Sequence, residues 1–398
     1  MGKLSLLDKS FECLCAIVQD LGEPKFRAKQ LYDWILSGAE YSQMTNLPKA
    51  FKEKLAESFD AVSLKVEKIL SAKDGSQKYL YKLNDGQLIE GVFLPNKYGN
   101  TLCVSTQVGC RMGCAFCASG EHGLERNLTA SEIVGQFIAA NRLQMQEQKV
   151  FESSDKVYSS SKNNAKSSDD ATHNTNNATH NFKNDNIQAR SRAISNIVFM
   201  GSGEPLDNFD NVVLAIKQFS DPKGLNISAR NISLSTCGLV PQIIKLIDYN
   251  LPVTLSLSLH ATNDQKRQKL MPIAKKYPIL ETIDAFKKYF VKTGRRVCIE
   301  YVLVAGQNDS DSDADRLAQL LSGFSCHINL INLNLGGSAT KKSAGNSVLK
   351  ASDAKKAQEF LTKLLDRGIS ASLRRSYGAD VFGACGQLRG KEKAKNNQ

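Results

Sequence analysis

An α/β fold is predicted: a partial (β/α)6 barrel preceded by a small N-terminal α+β domain. From about Thr101, short apolar strand-like runs alternate with amphipathic stretches of helical period. That alternation argues for parallel strands linked by crossover helices. Residues 1–95 run differently, with helical patterns first and short strands after. A cysteine-rich loop directly follows the first strand of the alternating part, at the strand end where such barrels gather their chemistry.

The N-terminal unit, 1–95, reads as helices over 9–21, 25–38 and 48–59, the last with Pro48 at its first turn. Strands follow at 63–70, 78–83 and 88–94, separated by Asp-Gly turns at 74–75 and 85–86. Such a module suits either a nucleic-acid contact or a packing lid. The barrel unit, 96–389, has strands predicted at 102–106, 195–200, 230–236, 253–259, 297–304, 327–333 and 370–375. Helices are predicted between them at 129–147, 209–219, 238–248, 278–291, 311–322 and 352–367. Thr129 with Glu132 three residues on gives the first of these a capping box. Residues 151–190 interrupt the pattern. Ser and Asn supply 15 of these 40 residues and Leu, Ile, Val and Phe only four, too little apolar surface to offset ordering. A disordered insertion is expected there, and a disordered basic tail over 390–398.

The 398 residues carry 52 Lys and Arg against 40 Asp and Glu, a net charge of +12. That balance fits a polyanionic partner, nucleic acid being the commonest, and equally a merely solvated basic surface. No stretch approaches the ~20 apolar residues of a membrane helix, and no secretory signal is read at the N-terminus, so a cytoplasmic location is expected. Ten cysteines in such a chain point to metal binding or catalysis rather than a disulfide framework.

Cys110, Cys114 and Cys117 stand at spacings of four and three, with Gly113 and small residues between. Three thiolates are one short of a closed zinc site, which Cys103 or His122 would have to complete. They suit an iron–sulfur cluster with one iron left open. A second strand runs into Gly201-Ser-Gly203-Glu204-Pro205, where small residues admit a ligand and Glu204 can accept from an ammonium group. Ser235, then Ser258, Leu259 and His260, then Asn334 close later strands with groups suited to ribose and adenine. Cys103 reads equally well as a buried inert thiol. Cys385, flanked by small residues, reads as an accessible one.

The Cys-x-x-x-Cys-x-Phe-Cys loop, Gly-x-Gly-Glu-Pro, Ser-Leu-His and the terminal Ala-Cys-Gly-Gln-Leu together resemble the RlmN family, radical S-adenosylmethionine (SAM) methyltransferases of carbon 2 of adenine in 23S rRNA and tRNA. The resemblance implies a [4Fe-4S] cluster on Cys110, Cys114 and Cys117. It implies SAM, two per turnover, held by Gly203, Glu204, Ser235, Ser258, Leu259, His260 and Asn334. It implies Cys385 as methyl carrier, Cys103 as the thiol that releases product through a transient disulfide, and Glu90 as proton acceptor. From its own surroundings in sequence Glu90 reads as a surface carboxylate. An electron donor such as flavodoxin and a monomeric chain complete the expectation. The rivals are an adenine carbon-8 methyltransferase of the same chemistry and a zinc-stabilised RNA-binding protein. Departures from the family pattern are Ser202, Asn332 with Leu333, and the insertion.

Overall fold

The structure, a computed structural model, describes residues 3–163, 192–334 and 349–388. Residues 4–60 hold three helices, α1 (Phe11–Asp20), α2 (Phe26–Leu36) and α3 (Lys49–Ser58), closed by a parallel contact of β1 (Leu4–Ser5) with β2 (Phe59–Asp60). Ser10 caps α1 by accepting from the Cys13 amide at 3.2 Å. Leu14, Val18, Leu31, Ile35 and Phe51 recur at helical spacing and are buried together.

Three antiparallel strands follow, β3 (Leu64–Ser71), β4 (Gln77–Leu83) and β5 (Leu88–Leu94). Next come β6 (Thr101–Cys103), a small ribbon of β7 (Gln107–Gly109) with β8 (Leu124–Asn127), and the long helix α4 (Ala130–Asn163). The alternation then continues through β9 (Asn196–Phe199), α5 (Phe209–Ser220), β10 (Ile232–Thr236), α6 (Val240–Asp248) and β11 (Thr254–Ser258). It ends with α7 (Asp264–Leu270), α8 (Ile279–Thr293), β12 (Val297–Leu303), α9 (Asp311–Leu321), β13 (Cys326–Asn332), α10 (Ala354–Asp366) and β14 (Ala371–Arg374). One ten-stranded sheet runs in the order β14-β13-β12-β11-β10-β9-β6-β5-β4-β3. From β6 to β14 every neighbouring pair is parallel, giving six strand–helix units and a last strand, as the alternation predicted. Among the described residues β3 and β14 stay unpaired on their outer edges, so the barrel is partial.

Three features add to the sequence reading or differ from it. The last N-terminal strand, β5, ends at Leu94 and pairs with β6, Val92 opposite Cys103, so the hairpin strands and the barrel strands share one sheet. Strand patterning shows that a run is extended, not which edge it joins. The strand predicted at 102–106 ends at Cys103, and the chain turns into the β7–β8 ribbon, whose three- and four-residue strands are too short to show an alternation. Helix α4 continues to Asn163, into the segment expected to be disordered. Ser and Asn are weak helix formers rather than breakers, and propagation from an established helix costs far less than nucleation. The rest of that segment, 164–190, and the tail at 390–398 lie outside the described residues.

Phe137 of α4, Phe219 of α5 and Phe199 of β9 form an aromatic trio, with ring centroids 5.7 and 6.3 Å from Phe219. All three are buried, which fixes the first crossover helix on the sheet behind the cysteine loop. Phe137→Ala is expected to lower unfolding free energy by about 3–5 kcal/mol, measured by urea denaturation.

Candidate active site

The C-terminal ends of the parallel strands meet at one rim. There the β7–β8 ribbon presents the cysteine loop. Gly109 has φ +78°, and a Cβ on it would lie 2.0 Å from the Gly123 carbonyl oxygen, so only glycine lets the ribbon close. The Cys110 amide donates to that same carbonyl at 2.9 Å, and the Ala115 amide donates to the Leu270 carbonyl at 2.8 Å, tying the loop to the end of α7.

The three thiols share one space. Burial pushes Cys110 up to about 12, with the Cys117 charge adding to it. Burial also pushes Cys114 well up, with Cys117 and Cys110 next in effect. Among the described residues no three His, Cys, Asp or Glu side chains converge within reach of a single metal ion. A structural zinc usually takes four protein ligands, whereas three cysteines would hold a four-iron cluster with one iron left open. His122 is exposed, and the thiol that Cys103 feels is Cys385, so neither supplies the fourth zinc ligand. The donor set fits a cluster held by three cysteines.

Beside the loop, Gly203 has φ +106°, and a Cβ there would meet the Gln107 Cβ at 2.6 Å. Gln107 Oε1 accepts from the Glu204 amide at 2.9 Å. The buried Glu204 carboxylate accepts from the Cys237 amide at 2.8 Å and the Leu206 amide at 3.1 Å. Burial raises its pKa, and the Cys237 amide opposes that rise. Ser202, the departure from the family pattern, is fully buried and its amide donates to Ser105 Oγ at 2.8 Å. Ser235 Oγ and Ser258 Oγ lie 3.4 Å apart across β10 and β11. Leu259 is fully buried; its amide donates to the Glu300 carbonyl at 3.1 Å and its carbonyl accepts from Arg267 Nε at 3.1 Å.

His260 is buried, with φ +55°. Its Nδ1 accepts from the Val302 amide at 3.0 Å, so the neutral ring carries its proton on Nε2. Phe116 of the cysteine loop packs edge-on against the ring, centroids 4.9 Å apart. Sequence reasoning missed Arg267. On a helix rich in Lys and Gln it looks like a solvated charge, yet it is wholly buried. Its Nη2 donates to the Cys237 carbonyl at 2.7 Å and the Ser258 carbonyl at 3.2 Å, locking the ends of β10 and β11 together.

The far cysteines meet on the other side of the loop. Cys103 and Cys385 line one cavity with Val92, Met200, Asn334 and Arg374. Two hydrogen bonds dock the terminal segment onto the cysteine loop: Ala118 N–H to the Gly386 carbonyl at 2.8 Å, and Ser119 Oγ to the Leu388 carbonyl at 2.7 Å. Burial raises the Cys385 pKa and the Arg374 guanidinium opposes the rise; Glu300, 3.5 Å from Arg374, and Cys117 push the other way. The Cys385 residue nonetheless keeps surface open to solvent. Burial pushes the Cys103 thiol up strongly, with the Cys385 charge next. Glu90 is not on the surface: it is buried in β5, two residues before Val92, and pairs with Lys78 Nζ at 2.8 Å. It does not line the cavity itself.

Family models match two parts of this architecture. Residues 4–60 match the ribosomal RNA large subunit methyltransferase N-terminal domain, and 179–318 the Radical SAM superfamily. The chain is 41% identical to a probable dual-specificity RNA methyltransferase RlmN of Alkaliphilus oremlandii over 394 residues, 98% of this chain and 99% of that one. The chain belongs to the RlmN family. An RlmN of Clostridium perfringens is 40% identical over 97% of this chain and 96% of its own length. The crystal structure of a radical SAM methyltransferase from Sphaerobacter thermophilus superposes with a TM-score of 0.82 at 36% identity, covering 98% of this chain and all of that one. RlmN membership brings with it the [4Fe-4S] cluster and SAM as cofactors, which the donor set at the rim accommodates.

Burial holds His260 at a pKa of about 3, far below its ordinary 6.5. Between those values the unfolded chain binds a proton that the folded chain refuses, so this group withdraws stability as pH falls from 6.5 to 3. His260→Phe is expected to flatten that acid-side loss. At pH 8 it should cost about 1–3 kcal/mol, because the Val302 amide loses its acceptor. Urea denaturation across the pH series measures both effects.

Proposed function

We propose that this chain is a radical SAM methyltransferase that methylates carbon 2 of an adenine in 23S ribosomal RNA, and in transfer RNA. The observation that carries the reading is the shared cavity of Cys103 and Cys385, docked against the Cys110–Cys114–Cys117 loop. When bound, the cluster and SAM supply the methyl group and the one-electron chemistry that breaks an unreactive C–H bond. Glu204, Ser235, Ser258 and the ring of His260 form the rim that orients SAM, with Asn334 toward the carrier. Gly203 clears the space and Leu259 holds the strand ends.

Cys385 accepts the methyl as a thiolate, the form that Arg374 favours. After that S-methyl group has given up a hydrogen atom, its carbon bonds to carbon 2 of the base, and the one-electron chemistry that the bound cofactors would supply would take away the unpaired electron left on the adduct. Glu90 takes the carbon-2 proton. The Cys103 thiolate then attacks Cys385 Sγ, the bond from that sulfur to the former methyl carbon breaks, the released carbon takes up a proton to become the product's methyl group, and a disulfide remains for a thiol reductant to reopen.

The rest of the reading follows from charge and family. Residues 1–95 contact the RNA, and the barrel of residues 96–389 performs the chemistry. Net charge of +12 supplies phosphate neutralisation. The adenine is turned out of its stack to reach the cavity. The chain acts as a cytoplasmic monomer fed by a one-electron donor such as flavodoxin; no described helix is long and apolar enough to cross a membrane.

Anaerobic reconstitution with RNA, followed by mass spectrometry of the methylated adenine, tests the reaction. Methyl on carbon 2 is expected; methyl on carbon 8 would replace the assignment. Cys385→Ala is expected to make no product. Cys103→Ala is expected to leave RNA covalently attached to protein on a denaturing gel. Six phosphate contacts would weaken RNA binding roughly 10³-fold between 50 and 200 mM salt, and salt-independent binding would count against an RNA substrate.

A further inference from the structure

The loop that carries Cys385 is held at two places. One is the cysteine loop, through Gly386 and Leu388. The other is the β3–β4 turn of the N-terminal hairpin, far away in sequence. There Asp74 Oδ2 accepts from the Gly378 amide at 2.9 Å, and Asp380 Oδ2 accepts from the Lys73 amide at 3.1 Å. The two bonds are reciprocal: each strand of the contact offers one carboxylate and one backbone N–H.

The turn is built for this. Asp74 Oδ1 is engaged by the Ser76 amide at 3.0 Å and the Ser76 hydroxyl at 2.5 Å, which aims Oδ2 outward at Gly378. Gly378 has φ +63°, and a Cβ on it would stand 3.0 Å from Ser76 Oγ, so the close approach favours glycine. Its carbonyl closes the following loop by accepting from the Gly383 amide at 2.8 Å, which leads directly into Ala384 and Cys385. Burial pushes the Asp74 carboxyl up, but the bonds from Ser76 and Gly378, with Arg375 adding to them, together hold it below its usual range.

We propose that Asp74 and Asp380 form a clasp that positions the methyl-carrier loop, so that the accessory hairpin sets where Cys385 stands between the cysteine loop and Cys103. This rests on the reading of Cys385 as carrier. A carrier has to serve three partners in turn: methyl donor, base and resolving thiol. A loop pinned only at 386–388 would swing about that end. The second anchor, seven residues before Cys385 at Gly378, limits the swing to the short span between them. Neither aspartate touches a reacting atom; both act through the loop.

Hydrogen exchange of the unloaded protein and steady-state kinetics of the reconstituted enzyme test the clasp in Asp74→Ala, Asp380→Ala, the double variant and Asp74→Asn. Each alanine variant is expected to raise amide exchange across 378–388 about tenfold, equivalent to about 1.4 kcal/mol of local opening. Each is expected to lower kcat by about tenfold with KM for RNA unchanged. The double variant should lose little more than either single one, since one clasp is broken in each. Asp74→Asn keeps one acceptor oxygen for Gly378 but turns its NH2 toward the Ser76 N–H, and should recover only part of both losses. Wild-type exchange and kcat in the alanine variants would overturn the clasp, as would a rise in KM alone, which marks an RNA contact instead. Cys385→Ala separates the two readings. If it is inactive while Asp74→Ala behaves as wild type, the clasp alone fails. If it still methylates, the carrier reading fails and the clasp with it.

Discussion

The hydrogen bonds that join the cysteine loop to the terminal segment are the constraint on which the site depends. Ser119 and Leu388 are 269 residues apart in the chain, yet the serine hydroxyl and the leucine carbonyl meet at 2.7 Å. Together with the Ala118–Gly386 bond, this contact decides that Cys385 stands beside Cys117 and not elsewhere on the rim. The sheet makes the contact possible. Strands β6 and β9 through β14 run parallel, so each of them delivers its C-terminal residues to the same side.

The rim concentrates buried charge in a way that a purely structural core would avoid. Glu204, Arg267, Glu300 and the Lys78–Glu90 pair all sit in the interior. Burying ions costs several kcal/mol each unless geometry repays it, and buried pairs are poor sources of stability. Two of these groups are matched with backbone partners: Glu204 with the Cys237 and Leu206 amides, Arg267 with the carbonyls of Cys237, Ser258 and Leu259. Such matching holds strand ends at fixed distances. It also presents oriented charges to a ligand without reorganisation.

Much of this was legible in the sequence, for identifiable reasons. The strand–helix alternation gave the parallel order because hydrophobic period distinguishes the two elements over five or more residues. The cysteine triad was legible because its ligands are local. Cys103 and Cys385 were tied to one another by family resemblance alone; no spacing rule joins residues so far apart. Arg267 was hidden because a buried guanidinium and a solvated one look alike on a polar helix. Glu90 misled for a similar reason: its burial depends on β4 and on the barrel sheet that β5 joins, neither of which its neighbours reveal. The β7–β8 ribbon was too short to carry a period, and the reach of α4 beyond 147 depends on propagation that composition does not report.

The most direct test of the central claim is an isotope-labelled single turnover. Protein first loaded with an unlabelled methyl group would be given SAM bearing a deuterated methyl, and the first methylated adenine analysed by mass spectrometry. If Cys385 carries the methyl, the first equivalent of product has the unlabelled group, and the Cys385 peptide afterwards holds the deuterated one. A first product bearing deuterated methyl directly from the added SAM would contradict the account.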